Sequence, residues 1–320
     1  KTSDAVAARL DLSHLHHATC GAEPIRGDYL KLFAKKFYAA GFRPHQFNCA
    51  YGGAEPTLVI CGYPDPNRGA PRSLLVDKTI IETKGKVQLL RADDPRRASG
   101  TGTLLFIACG RPGHTYDLRI VDTKSRTALP DGYVGEIWVH GDSIAEGYWQ
   151  QWDLTRRRFQ ATLANDASGR HYWRSTDLGF MHKGELFYYA RLQDLVHVDG
   201  RCICPQTIEG SVEAASTQIR PGCAAVYSTI ADADGRSSSV VVVAELREQL
   251  KKGSDSTLAS ICKDICKRVA KEQSVEVARI VLLKPKTIPK TTSGKLQRTR
   301  IQHMVEQSTL QTQYIYNPNA

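Results

Sequence analysis

The sequence predicts an α/β portion, rich in short strands, up to residue 191, followed over 192–320 by a small α+β domain. Three observations carry this. Short apolar runs at 57–61, 103–108, 118–121 and 136–139 are separated by turn signals such as Pro130-Asp131-Gly132. Beyond Asp194 helices and strands succeed one another: helix 205–215, strands 223–228 and 239–245, helix 257–271, strand 276–283. That order fits helices packed on one face of a small mixed sheet. A length of 320 residues is sufficient for two domains, each with its own core.

The individual elements have local reasons. Residues 28–40 read as an amphipathic helix, with Asp28 as cap, Leu30, Leu32, Phe33 and Phe37 as apolar face and Gly41 as stop. Residues 71–102 are polar and poorly periodic, long for a loop in a compact domain, and read as an insertion. Residues 184–200 read as a hairpin with strands at 185–189 and 195–198, and the boundary at 191–194 as a hinge around Gln193 and Asp194.

Composition excludes several classes. Apolar residues make up 41% and charged residues 24%, which are globular values. No apolar run approaches the ~20 residues that span a bilayer. The net charge of +10 comes from scattered clusters such as Arg156-Arg157-Arg158 rather than a stripe with interleaved aromatics. It points to an anionic small molecule or an acidic partner more than to nucleic acid. Nine cysteines fall in no metal-ligand or disulfide pattern, which points to free thiols and a cytoplasmic setting. The chain opens on Lys1 in what reads as the middle of a fold, so a fragment is expected.

Five blocks bear chemistry, and each alone also fits an ordinary turn or surface loop. Gly21-Ala22-Glu23-Pro24 ends a strand with small residues that let backbone approach a planar ligand. Tyr51-Gly52-Gly53-Ala54-Glu55 sets an aromatic ring beside a carboxylate suited to Mg²⁺. Asp177, read at a strand end in Trp173-Arg174-Ser175-Thr176-Asp177, is suited to accept from two ribose hydroxyls. Arg191 precedes Leu192-Gln193-Asp194 and is able to bridge ribose and phosphate oxygens. Finally, Pro289-Lys290-Thr291-Thr292-Ser293-Gly294-Lys295 puts a cation on a small-residue loop, read as mobile, that swings onto an anion at one reaction step.

In order and spacing these blocks resemble the adenylate-forming (AMP-binding) superfamily, and within it the fatty acyl-AMP ligases. Gly21-Ala22-Glu23-Pro24-Ile25, Tyr51 to Leu58, Gly135-Glu136-Ile137-Trp138-Val139, Gly147-Tyr148-Trp149 and the stretch 195–209 with Pro205-Gln206 carry the resemblance. It runs from about residue 10 to 300 but matches only the C-terminal half or so of the family, which implies a missing N-terminal half as a partner. Three positions depart from the pattern: Ser175-Thr176 stands where Thr-Gly is usual, Ala190 for a Gly, and Gln193 for a Lys or Asp.

The resemblance implies the C-terminal part of the family's large domain, 1–191, with the ligase insertion at 71–102, and a mobile lid at 192–320. It implies ATP-dependent activation of a fatty acid to an acyl-adenylate, with transfer to the phosphopantetheine of an acyl carrier protein or polyketide synthase module. Lys295 is then catalytic. Gly21, Ala22, Glu23, Tyr51, Asp177 and Arg191 bind nucleotide, Glu55 binds Mg²⁺, and Gln193 and Asp194 form the hinge. An acyl-CoA synthetase differs only in the acceptor, and the insertion argues against it. A non-catalytic module like those of disco-interacting proteins is the other alternative, which retention of Lys295, Asp177, Arg191 and Glu55 argues against. Because no Gly-rich phosphate loop lies within the chain, turnover by these residues alone is not expected.

Overall fold

The computed structural model of the chain describes residues 2–62, 69–230, 238–251 and 253–318. The chain divides into two compact units, Lys1–Leu192 and Gln193–Ala320.

The first unit opens with α1 (Asp4–Ala7), β1 (Ala18–Cys20), α2 (Gly27–Lys36) and β2 (Phe47–Cys49). β1 and β2 pair in parallel. α2 is shorter than its apolar pattern suggested. It starts after Arg26, without a side-chain cap, and stops at Phe37, where the backbone leaves the helical region. The next pair, β3 (Tyr51–Gly53) and β4 (Leu58–Cys61), is an antiparallel hairpin.

Residues 71–102 are not a structureless loop. They contain β5 (Ser73–Asp77), α3 (Lys78–Lys84) and α4 (Arg96–Ser99), and β5 pairs antiparallel with β6 (Thr103–Ile107). Asp77 explains the order: it accepts the Ile80 N–H at 3.0 Å as the cap of α3 and pairs with Arg96 at 2.6 Å. Gly85 closes α3 at φ +60°, as a helix C-terminus prefers.

A four-stranded antiparallel sheet completes the unit, in the order β10 (Glu185–Arg191), β9 (Trp173–His182), β8 (Gly135–Gly141), β7 (Tyr116–Val121), with α5 (Trp152–Phe159) between β8 and β9. Its buried side chains, among them Ile137, Val139, Trp173 and Leu186, form the core with Tyr51 and Ile60. The expected hairpin joining 185–189 to 195–198 is absent. β10 instead pairs back onto β9 across Lys183 and Gly184, both at positive φ, the geometry of a tight two-residue turn.

In the second unit β11 (Val196–Val198) and β12 (Arg201–Ile203) form their own hairpin across Asp199-Gly200, an Asp-Gly pair at φ +49° and +73°. The main sheet has the order β13 (Ile219–Ile230), β14 (Ser238–Leu246), β15 (Val277–Leu283), β16 (Thr312–Tyr316). Only β14 and β15 are parallel, and α7 (Asp255–Gln273) crosses between them.

The helices cover both faces of this sheet rather than one. Val226, Val240, Val242 and Leu282 pack with Ile208 and Val212 of α6 (Pro205–Ala215) and with Leu258, Ile261 and Ile265 of α7. The alternate residues Tyr227, Val241, Val243 and Leu283 pack with Ile301 and Val305 of α8 (Arg298–Glu306). A strand buried on both sides needs no polar alternation, which is why 240–244 read Val-Val-Val-Val-Ala. None of the helices among the described residues is long and apolar enough to cross a membrane.

Candidate functional site

The parallel pairing of β1 with β2 sends two of the sequence blocks out at the same strand end. The Ala50 N–H donates to the Cys20 carbonyl at 2.9 Å, so Gly21 leaves β1 beside Ala50, and Tyr51 follows. A Cβ on Gly21 would stand 2.6 Å from the Ala50 carbonyl oxygen, so only glycine permits this approach. Gly21, Ala22 and Glu23 are exposed.

Tyr51 is not the open stacking face that its motif suggested. Its side chain is 7% exposed, packs 6.2 Å from the Tyr188 ring and donates its hydroxyl to Asp177 Oδ2 at 3.0 Å. Asp177 sits within β9, not at its end, in register with Arg191 on β10. The Arg191 Nε donates to Asp177 Oδ1 at 3.4 Å while its side chain stays 52% exposed. One carboxylate thus joins a buried phenol to a cation open to solvent.

Burial pushes the Asp177 carboxyl above the usual carboxylate range, against the opposing pull of Arg191 and the Tyr51 hydroxyl. Burial, then the Asp177 charge, holds the Tyr51 phenol well above its ordinary value, so it stays a donor.

The residue before Asp177 explains one departure from the family pattern. Thr176 lies at φ +60°, the left-handed region that favours glycine. Its N–H donates to Glu136 at 3.2 Å. Glu136 is fully buried and also accepts from Trp138 Nε1 at 2.9 Å and Arg174 at 2.8 Å. This network holds a β-branched residue where the backbone disfavours one.

Glu55 occupies the turn between β3 and β4. Its Oε1 accepts the Tyr148 hydroxyl at 2.6 Å, and its carbonyl accepts the Ala145 N–H at 2.8 Å. Among the described residues no group of three or more His, Cys, Asp or Glu converges on a metal position. A single oriented carboxylate fits a Mg²⁺ ion that keeps waters and takes further oxygens from substrate phosphates.

Motif reading gave no role to Tyr148 or Arg158. Arg158 donates to the Arg174 and Ser175 carbonyls at 2.6 and 3.0 Å and its charge lowers Asp177. The Gly147-Tyr148-Trp149 block was a signal for the first, whereas Arg158 was hidden in a basic triplet.

Lys295 and the 193–194 pair belong to the second unit, the other candidate residues to the first. The lysine segment is a closed hairpin, not a loose loop. Lys290 bridges Leu296, the Thr291 N–H donates to the Lys295 carbonyl at 2.8 Å, and the Lys295 N–H donates to Thr291 Oγ1 at 3.0 Å. Gly294 turns it at φ +93°.

A cleft of about 280 Å³ elsewhere in the first unit is lined by Val139, Ile144, Phe159, His171 and Trp173 but by none of the candidate residues.

Comparison with known proteins bears on the family rather than on the individual residues. The AMP-binding enzyme family matches residues 1–149. The long-chain-fatty-acid–AMP ligase FadD26 of Mycobacterium marinum is 35% identical over 303 residues, 93% of this chain and 49% of that protein. The medium-chain-fatty-acid–[acyl-carrier-protein] ligase JamA of Moorena producens is 30% identical over 305 residues, 93% of this chain and 48% of its own length. A structure from a study of fatty acyl-adenylate ligases of E. coli and L. pneumophila superposes with a TM-score of 0.80 at 26% identity, over 96% of this chain and 50% of the other. The chain spans about half the length of the relatives it matches. The chain is thus similar to the AMP-binding enzyme family over its first 149 residues, and to about half of each fatty acyl-AMP ligase in sequence and in fold over more than nine-tenths of its own length.

Proposed function

We propose that the chain is the nucleotide-binding and lysine-bearing part of a fatty acyl-AMP ligase. The reaction is ATP-dependent activation of a fatty acid followed by transfer to the phosphopantetheine thiol of an acyl carrier protein or polyketide synthase module. The observation that carries this reading is the Tyr51–Asp177–Arg191 group, an acid with lone pairs left for ribose hydroxyls beside an exposed guanidinium for ribose or phosphate oxygens. Relatives named as a fatty-acid–AMP ligase and an acyl-carrier-protein ligase support the substrate and the acceptor.

The fatty acid carboxylate attacks the α-phosphate of ATP. The bond from that phosphorus to the bridging oxygen breaks, pyrophosphate leaves with the electron pair, and the acyl-adenylate remains. Exposed Gly21 to Glu23 frame the base, with Tyr51 behind them supporting Asp177 through its hydroxyl. Lys295 contributes positive charge to the reacting carboxylate and α-phosphate. Glu55, oriented by Tyr148, would hold Mg²⁺, which supplies charge neutralisation of phosphate oxygens when bound. Gln193 and Asp194, where the second unit begins, serve as the hinge. The 71–102 segment, fixed by the Asp77–Arg96 pair, is the part assigned to disfavouring CoA as acceptor.

The test is binding of a non-hydrolysable acyl-adenylate mimic to the 320-residue chain. Saturable binding that Asp177→Ala or Arg191→Ala weakens supports the proposal. Equal affinity in all three proteins overturns the site.

A further inference from the structure

The hairpin that carries Lys295 is fastened at both ends by buried carboxylates of its own unit. At its incoming end Glu245, fully buried, accepts the Thr287 and Ile288 N–H groups at 2.8 and 2.9 Å and Arg220 at 2.6 Å. At its outgoing end stands Arg298, the first residue of α8. Its Nε and Nη2 donate to Glu209 at 2.9 and 2.7 Å, and its Nη1 lies 3.6 Å from Asp194. Glu209 also accepts the Val226 N–H at 3.1 Å. One guanidinium, 15% exposed, therefore ties the end of the lysine hairpin to α6, to β13 through Glu209, and to the second residue of the unit.

We propose that Arg298 is the positioning residue for Lys295, locking the lysine hairpin to Asp194 so that a rotation at 193–194 is transmitted to the lysine without slack. The inference rests on reading Lys295 as the cation delivered to the reaction. Three features favour it over a pair that only stabilises the fold. The hairpin is internally closed, so beyond the Lys290 Nζ bond to the Gly222 carbonyl at 2.6 Å and the packing of Leu296 its orientation depends on its two ends. The guanidinium uses its fork on Glu209 and turns its remaining nitrogen towards Asp194, a geometry that an ammonium does not reproduce. Asp194 is separated from Lys295 by most of the unit in sequence, and Arg298 spans that separation through side chains alone. Although burial opposes it, Glu209 and then Asp194 hold the Arg298 guanidinium above its ordinary range, so it is a permanent cation.

The experiment uses the 320-residue chain with Arg298→Lys and Asp194→Asn, singly and together. Two quantities are read besides the melting temperature: hydrogen exchange of the 289–297 amides, and the rate at which a succinimidyl ester acylates Lys295, with exposed Lys263 and Lys267 of α7 as internal references. Arg298→Lys is expected to speed exchange at Thr291 and Lys295 about tenfold and to change the relative labelling of Lys295 several-fold. Asp194→Asn, which leaves the Glu209 pair intact, is expected to act in the same direction and to add nothing in the Arg298→Lys background. Faster exchange confined to the hairpin, with non-additive variants, supports positioning. A fall in melting temperature with unchanged hairpin exchange and labelling overturns it, as does an Asp194→Asn chain identical to wild type. Should Lys295→Ala leave adenylate formation intact in a full-length protein carrying this chain, the reading of Lys295 fails, and the exchange result identifies that failure separately.

Discussion

Two buried acids, one in each unit, respond to burial in opposite ways. Asp177 accepts one phenolic hydroxyl and one guanidinium N–H at 3.4 Å, and burial wins, leaving its carboxyl above the usual range. Glu245 faces burial too, but the Ile288 N–H, the Arg220 guanidinium and neighbouring backbone N–H groups outweigh it, and its carboxyl falls below the usual range. At Glu245 the hydrogen bonds of the fold outweigh burial, whereas at Asp177 they do not, which is the basis of the proposal that Asp177 accepts from a ligand. The lesson is that burial alone does not set a carboxylate's behaviour; the donors that face it decide the direction.

The largest expected effect comes from the Glu245 side. Glu245→Ala strands the Thr287 and Ile288 amides and unpairs Arg220, and is expected to destabilise the second unit by about 3–5 kcal/mol. Urea unfolding followed by probes in that unit checks this, and a loss below about 1 kcal/mol would mean that the incoming end of the lysine hairpin is held by something else.

Next in size, Lys295→Ala in a full-length protein carrying this chain is expected to remove about 2.7–4 kcal/mol of transition-state stabilisation, with nucleotide affinity retained. Pyrophosphate release within a few-fold of wild type is the contrary result.

How much of this was legible in the sequence follows the same division. The motif residues were, because Gly21, Tyr51, Glu55, Asp177, Arg191 and Lys295 fall in blocks whose order is itself a signal. The partners of the two acids were not. Tyr51 lies far from Asp177 in sequence, and their hydrogen bond follows from β3 packing into the same core as the β7–β10 sheet. The hairpin expected at 184–200 failed because the turn signals at Lys183-Gly184 and Asp199-Gly200 were passed over for a longer pairing. Helix-strand order alone suggests helices on one face of the second sheet, whereas the unbroken apolar run at 240–244 reflects two covered faces. Ser293 and Gly294 suggested mobility, whereas Thr291 uses both its backbone and its hydroxyl to close the loop.

A smaller effect sharpens the contrast through pH. Because Asp177 is raised, its ionised form, the one that accepts from ribose hydroxyls, is lost earlier on acidification than that of an ordinary aspartate at ~3.9. Affinity for the acyl-adenylate mimic should therefore fall as pH drops through that raised value. Arg191→Ala removes an opposing charge, so its acid limb should move to higher pH; an unmoved limb would detach Arg191 from Asp177. For stability the sign reverses between the two acids. The Asp177 contribution is present at low pH and lost as pH rises through its folded value. That of Glu245 is present above ~4.3 and lost as pH falls through its lowered value.

The smallest expected change lies beside the site. Thr176→Gly relieves a positive φ on a β-branched residue, and the unfolded-state entropy of glycine offsets part of the gain. A rise of up to about 1 kcal/mol in the first unit's stability is expected, with Asp177 geometry unchanged. A loss of stability would show that Thr176 gains more from its hydroxyl bond to the Ser175 carbonyl than it loses to strain, since glycine keeps the N–H bond to Glu136.

The most direct measurement is calorimetric titration of the acyl-adenylate mimic into wild type and Asp177→Asn, alongside the melting curves of both. If Asp177 is the unsatisfied acid of a nucleotide site, affinity falls about tenfold or more while the melting temperature holds or rises, because a costly buried charge has been removed. Unchanged affinity together with a collapsed transition would place Asp177 with Glu245, as an acid that serves only the fold.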